Sequence, residues 1–323
     1  MSGPTAKTIT EDEYFYGHKA CAGCGGALAV RIALKVLGRR AVAVLPAGCM
    51  SAVGFNFPNL CFANNAIIST FAGTASMMTG IEAGLKARGL SDYTVVGFAG
   101  DGGTADIGLQ ALSGCIDRND DVIYICYDNE AYMNTGTQKS SLTPFGASTT
   151  TTPAGSIVRG NTREKKDLLR IVAAHGIPYA ATASVGYLDD YMMKVEKASR
   201  IRGTKFIHVL VPCPTGWGAR TDMTVELARK AVDTGLWRLE EFENGEFRLN
   251  RGMSDPAGIR DYIRSQKRFA HLTEEDIAHI ERFRDARWKD DAQGRSERAC
   301  DEMEGWLGCN IPIWSVLLRI FHI

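Results

Sequence analysis

The chain has 323 residues, with 37 Lys and Arg against 37 Asp and Glu, so its formal net charge is zero. That balance gives no electrostatic footing for nucleic acid or an anionic membrane, and no apolar run reaches the roughly 18 residues of a membrane-spanning helix. Hydrophobic residues make up 45% and charged residues 23%, a globular balance with room for one large α/β domain or two smaller ones.

Residues 1–20 read as a polar arm without the apolar core of a secretory signal, so a reducing cytoplasm is expected. A Gly-rich turn, Cys21-Ala-Gly-Cys24-Gly-Gly26, leads into a helix over 27–37 with apolar positions at helical spacing. Ala41–Leu45 is a short apolar run stopped by Pro46 and predicts a buried strand. A helix rich in small residues is expected over 73–86. The apolar run 93–99 predicts a second strand, ending at Gly100-Asp101-Gly102-Gly103, with a helix over 107–118 after it. The runs 122–127 and 206–211 predict a third and a fourth strand, with a helix over 168–175 between them, stopped by Gly176 and Pro178. Buried strands alternating with helices argue for an α/β fold: a parallel sheet with helices on both faces.

The texture changes after about residue 218. A helix is expected over 227–239, a turn at Asn244-Gly245, and charged helices over 254–305, one opened by Thr273 with Asp276 three residues on. We therefore divide the chain into a chemical domain, 1–220, and a C-terminal helical arm for subunit contacts, 221–323. The apolar tail 310–323 is too short to span a bilayer and is expected to pack on a neighbouring subunit.

Two groups of residues carry chemistry. Ligands of open α/β sheets gather beyond the carboxyl ends of the strands. Gly100-Asp101-Gly102-Gly103 stands at such an end and precedes a helix, so its glycines let backbone amides approach a phosphate. Asp101 offers a hard oxygen suited to magnesium, and the next strand end offers Asp128-Asn129. Taken alone, Gly-Asp-Gly is equally a common turn. The second group is cysteine. Cys21 and Cys24 form a Cys-x-x-Cys pair, and Cys49 and Cys213 each follow a predicted strand. Four thiolates at chain turns suit an iron–sulfur cluster or a structural zinc, and spacing does not separate the two. Cys61, Cys115 and Cys126 read as packing residues, and Cys300 and Cys309 as structural.

Together these groups resemble the β subunit of the 2-oxoacid:ferredoxin oxidoreductases, the pyruvate synthase-like family. The matching stretches are His18-Lys19-Ala20-Cys21-Ala22-Gly23-Cys24-Gly25, Gly100 to Gly108, Tyr127 to Gly136, and Pro212-Cys213-Pro214-Thr215-Gly216-Trp217. The resemblance implies the diphosphate-binding half of a thiamine diphosphate fold. It implies magnesium on Asp101, Asn129 and the Ala131 carbonyl, and a [4Fe–4S] cluster on Cys21, Cys24, Cys49 and Cys213. Gly25, Gly100, Gly102, Gly103, Thr135 and Gly136 complete the cofactor-binding set it implies, and Asn134 takes the catalytic place near the reacting carbon.

The implied activity is oxidative decarboxylation of a 2-oxoacid with coenzyme A, electrons leaving through the cluster to ferredoxin or another acceptor. The implied partners are a pyrimidine-side α subunit, a γ subunit and a ferredoxin-like δ subunit. Pyruvate is the substrate that the family's base rate implies, but the segment 55–73 departs from the pattern, with Phe71-Ala72-Gly73 where Phe-Glu-Asn is expected. That departure suggests an aryl 2-oxoacid such as phenylglyoxylate, or oxalate. Two other readings are a zinc-stabilised α/β interaction subunit and a thiamine diphosphate decarboxylase or synthase without a cluster.

Overall fold

A computed structural model describes residues 4–5, 7–56, 58–156 and 159–292. Cys300, Cys309 and the 310–323 tail lie outside the described residues.

The apolar runs become strands buried on both faces. In chain order the elements are α1 (Gly25–Leu37), β1 (Ala41–Pro46), α2 (Cys49–Gly54), the short pair β2 (Phe55–Asn56) and β3 (Asn59–Leu60), β4 (Asn65–Ser69) and α3 (Thr74–Ala87). Then come β5 (Thr94–Gly100), α4 (Asp101–Ala105), α5 (Leu109–Asp117), β6 (Val122–Asp128), α6 (Leu168–Ala173), β7 (Tyr179–Ser184) and α7 (Leu188–Arg200). The rest are β8 (Lys205–Leu210), α8 (Pro214–Trp217), α9 (Thr224–Asp233), β9 (Leu239–Glu243), β10 (Glu246–Arg251), α10 (Ile259–Arg264) and α11 (Glu274–Ala292).

Eight strands form one sheet in the order β10-β9-β7-β8-β6-β5-β1-β4. Six strands, β7, β8, β6, β5, β1 and β4, run parallel, and β9 pairs antiparallel with both β7 and β10. Successive residues of a strand point to opposite faces. In β6, Ile123, Ile125 and Tyr127 enter a core with α1 and α7, while Val122, Tyr124 and Cys126 enter a second core with α3, α5 and α6. Two apolar cores, one per face, are what unbroken apolar strands require.

The described residues up to Glu274 form one compact unit, and those from Glu275 on, in α11, belong to a second. The expected boundary near residue 220 is therefore displaced. β9 pairs with β7, so the segment after residue 220 contributes strands to the main sheet. Asn244 and Gly245 both take positive φ, 53° and 89°, giving the β9–β10 hairpin its two-residue turn. The helix expected over 227–239 is α9 followed by β9, because Gly235 at φ 79° ends the helical run. β4, β7 and α7 were not foreseen. Among the described residues no helix is long and apolar enough to cross a membrane.

Candidate functional site

Four neighbouring strands, β8, β6, β5 and β1, deliver their carboxyl ends side by side. Beyond those ends stand Cys213, Asn129, Asp101 and Cys49. A cavity of about 380 Å³ opens there, lined among others by Gly48, Cys49, Phe71, Gly100–Gly103, Asn129, Ala131, Tyr132, Asn134 and Thr135.

Asp101 begins α4 and is buried, and Ser140 donates its hydroxyl proton to the carboxylate. Burial, and then the charge of Asp128, push the Asp101 carboxyl well above the usual carboxylate range. A buried carboxyl so placed gains from a nearby cation. The end of the Asn129 amide lies 3.1 Å from Asp101 Oδ1 and 2.8 Å from the Ala131 carbonyl oxygen. With nitrogen at that end the amide donates to both. With oxygen there, it neighbours both an Asp101 oxygen and the Ala131 carbonyl oxygen. Neighbouring oxygens around octahedral magnesium, at about 2.0–2.1 Å from the metal, stand about 2.9 Å apart. The donor set and its spacing fit that ion.

Gly102 leaves no room for a side chain: a Cβ would lie 2.2 Å from a Tyr132 ring carbon. Tyr132 donates its hydroxyl proton to Asp106 at 2.8 Å and meets Phe71 edge-on, with ring centroids 5.9 Å apart. The glycine-rich turn thus packs under an aromatic wall and presents its backbone to the cavity. Phe71, from the segment that departs from the family pattern, belongs to that wall. Asn134 and Thr135 are exposed at the cavity, Thr135 bonding Gln138. Gly136 takes φ 115° in the same loop but does not line the cavity.

The cysteines gather beside it. Cys49 opens α2 and lines the cavity. Cys24 Sγ accepts from the Ala27 amide, and Cys213 Sγ from the Gly216 amide, both at 3.4 Å. The Gly25 amide donates to the Pro212 carbonyl at 3.3 Å, tying the Cys21–Cys24 turn to the Cys213 turn. A Cβ on Gly25 would lie 2.8 Å from that carbonyl oxygen, so only glycine permits the approach. Burial, then Cys213 and Cys24, push the Cys49 thiol up to about 12. Burial likewise raises Cys24 and Cys213, each with a further push from Cys21. Thiols that raise one another in this way would be relieved as thiolates on a metal centre. Among the described residues no three His, Cys, Asp or Glu side chains are gathered tightly enough for a single ion. Cys61, Cys115 and Cys126 are buried in the core, as packing residues are.

The two groups form one site. Trp217, four residues after Cys213, donates its indole N–H to the Asn129 carbonyl at 2.8 Å, and Met133 packs against Gly216. Behind them lies a charged network that was not foreseen. Asp128 is fully buried and pairs with Lys165 Nζ and His208 Nε2, each at 2.9 Å. Burial alone would raise this carboxyl, but Lys165 and His208 outweigh it and hold it below its ordinary value. Lys165 also reaches Glu130 at 2.7 Å, and Arg268 reaches Glu130 at 2.6 Å. One signal was present: His208 interrupts an apolar strand, and a buried polar group needs a partner. Lys165 and Arg268 gave none, because each lies in a charged run that resembles a solvated surface.

Comparison with known proteins gives the family. Residues 46–209 match the family described as thiamine pyrophosphate enzyme, C-terminal TPP binding domain. The chain is 50% identical over 279 residues to the pyruvate synthase subunit PorB of Methanothermobacter thermautotrophicus, covering 86% of this chain and 97% of that one. It is 47% identical over 286 residues to the ketoisovalerate oxidoreductase subunit VorB of Pyrococcus horikoshii, covering 86% and 92%. A 2-oxoglutarate:ferredoxin oxidoreductase from Magnetococcus marinus shares the fold, with a TM-score of 0.52 at 21% identity over 68% of this chain and 78% of that one. None of these relatives supports the aryl or oxalate substrates suggested by residues 55–73. Identity at this level, across almost the full length of the relatives, makes the chain a β subunit of the 2-oxoacid:ferredoxin oxidoreductase family, a thiamine diphosphate-dependent subunit of a multi-subunit enzyme.

Proposed function

We propose that this subunit holds the diphosphate of thiamine diphosphate on Gly100–Gly103, with Gly25, Thr135 and Gly136 shaping the surrounding turns. A magnesium ion would sit on the Asp101 carboxylate, the Asn129 amide oxygen and the Ala131 carbonyl. The observation that carries this is the placing of the Asn129 amide end 3.1 Å from a buried Asp101 oxygen and 2.8 Å from the Ala131 carbonyl oxygen. A [4Fe–4S] cluster would be held by Cys21, Cys24, Cys49 and Cys213. Four thiolates of this kind suit such a cluster, and the likeness to ferredoxin-linked subunits favours it over zinc.

Bound thiamine diphosphate supplies the electron sink for decarboxylating a 2-oxoacid, and a cluster supplies one-electron transfer. The chain's own residues do the rest. Ser140 fixes the Asp101 carboxylate by a hydrogen bond. Phe71 and Tyr132 wall the cavity against water. Asn134 offers an amide N–H at the cavity to a substrate oxygen that gains negative charge. Partner subunits, among them the pyrimidine-side α subunit and γ and ferredoxin-like δ subunits, would complete the cofactor site, bind coenzyme A and pass electrons to ferredoxin or another acceptor.

The relatives point to pyruvate, or a branched 2-oxoacid such as ketoisovalerate, as substrate. The anaerobically isolated complex, assayed with coenzyme A and a dye acceptor, should turn over one of these faster than phenylglyoxylate or oxalate. A preference for either of the latter would contradict the assignment.

A further inference from the structure

Glu130 lies between the two proposed magnesium ligands of one loop, Asn129 and Ala131, and it takes φ 69°. That left-handed backbone is unfavourable for a residue with a Cβ, and glycine would adopt it freely. The chain instead carries a long acid, and every polar group of it is tied. Its N–H donates to Asp128 Oδ1 at 2.8 Å, and its carbonyl accepts from the Thr143 hydroxyl at 2.8 Å. One carboxylate oxygen accepts from Lys165 at 2.7 Å and the other from Arg268 at 2.6 Å. Arg268 is itself fixed: it stacks on the Trp217 ring, 3.7 Å from the centroid, and donates to Gln266 at 2.9 Å. Trp217 in turn donates to the Asn129 carbonyl. The side chain is buried, and Glu130 does not line the cavity.

We infer that Glu130 and Arg268 are positioning residues: the Arg268–Glu130–Lys165 clamp holds the loop in its left-handed turn, so that the Asn129 amide and the Ala131 carbonyl aim at one point. This rests on the proposed magnesium site. The clamp explains why an acid occupies a position where glycine would be easier, and why a residue as late in the chain as Arg268 is buried behind the strand ends. Removing partners that orient metal ligands typically weakens metal affinity about 10- to 100-fold.

The test uses the whole anaerobically isolated complex, stripped of metal by a chelator. Retention of thiamine diphosphate is measured by equilibrium dialysis against rising magnesium. Melting temperature without magnesium and the cluster's electron paramagnetic resonance signal are recorded alongside. R268M is expected to raise the half-saturating magnesium concentration at least about tenfold, with the cluster signal unchanged, and R268K to recover most of the affinity. E130G is expected to weaken magnesium binding to a similar degree, although glycine relieves the backbone, and it decides the matter if R268M does not assemble. Wild-type magnesium affinity in both R268M and E130G, or tighter binding in E130G, would overturn the inference. A wild-type complex that retains no thiamine diphosphate at any magnesium concentration would instead refute the underlying site.

Discussion

Single residues divide into those that meet ligands and those that hold other residues in place. We propose Asn134 for the first kind. It is exposed at the cavity and has no structural burden there that would make its loss unfold the loop. Asn134→Ala is expected to lower kcat by about 100-fold, the usual effect of losing one donor to a developing oxyanion, while magnesium and thiamine diphosphate affinities stay within about twofold of wild type. Equal losses in both would mean that Asn134 shapes the loop. Lys165 belongs to the second kind. Removing it leaves Asp128 and Glu130 buried with fewer cations, and breaking a buried ion pair from one side typically costs about 3–5 kcal/mol. Lys165→Met should therefore lower stability to denaturant by about that amount, and adding Asp128→Asn should restore a large part. A double mutant no better than the single would show that the pair is not coupled.

At the scale of elements, the strands bearing the site were readable and the clamp behind them was not. β1, β5, β6 and β8 are apolar runs closed by turn residues, so the strand ends and the residues beyond them followed directly. β7 escaped because its Tyr-Ala-Ala-Thr-Ala-Ser sequence is too poor in large apolar residues to signal burial, though all six residues are buried. β4 escaped because an edge strand needs less apolar surface. The turn that carries Cys21 and Cys24 reaches the Cys213 turn through Gly25, a contact no sequence spacing reveals. Gly25→Ala is expected to push those turns apart and broaden or abolish the cluster's resonance signal while the sheet's circular dichroism is kept. An unaltered signal would remove Gly25 from the account.

β9 extends the sheet beyond the expected domain boundary, and its Glu241 shows how that edge is held. Burial alone would raise this carboxyl. Lys197, then Arg248, Asn250 and Tyr179, outweigh it and bring it from near 4.5 to about 2. A folded value below the unfolded one gives stability that is present above about pH 4.5 and lost as pH falls toward 2. Glu241→Gln should flatten that part of the acid unfolding curve. An unchanged acid limb would contradict the role given to these bonds.

For the whole molecule, the site explains why the chain works as one subunit among several. Gly100–Gly103, Asp101, Asn129, Cys49 and Cys213 stand beyond the ends of four neighbouring strands, Gly25 ties the Cys21–Cys24 turn to the Cys213 turn, and Trp217 bonds the Asn129 carbonyl. In the function we propose, Asp101 anchors the metal and the cofactor while the cysteines hold a separate centre. The most direct test is to measure bound thiamine diphosphate, magnesium, iron and acid-labile sulfide in the anaerobically isolated complex, wild type against Asp101→Asn. The wild-type subunit should carry about one thiamine diphosphate, one magnesium, and about four iron and four sulfide from its own cluster. Asp101→Asn should lose the thiamine diphosphate and magnesium and keep the iron and sulfide. Retention of both cofactors by Asp101→Asn would contradict the account.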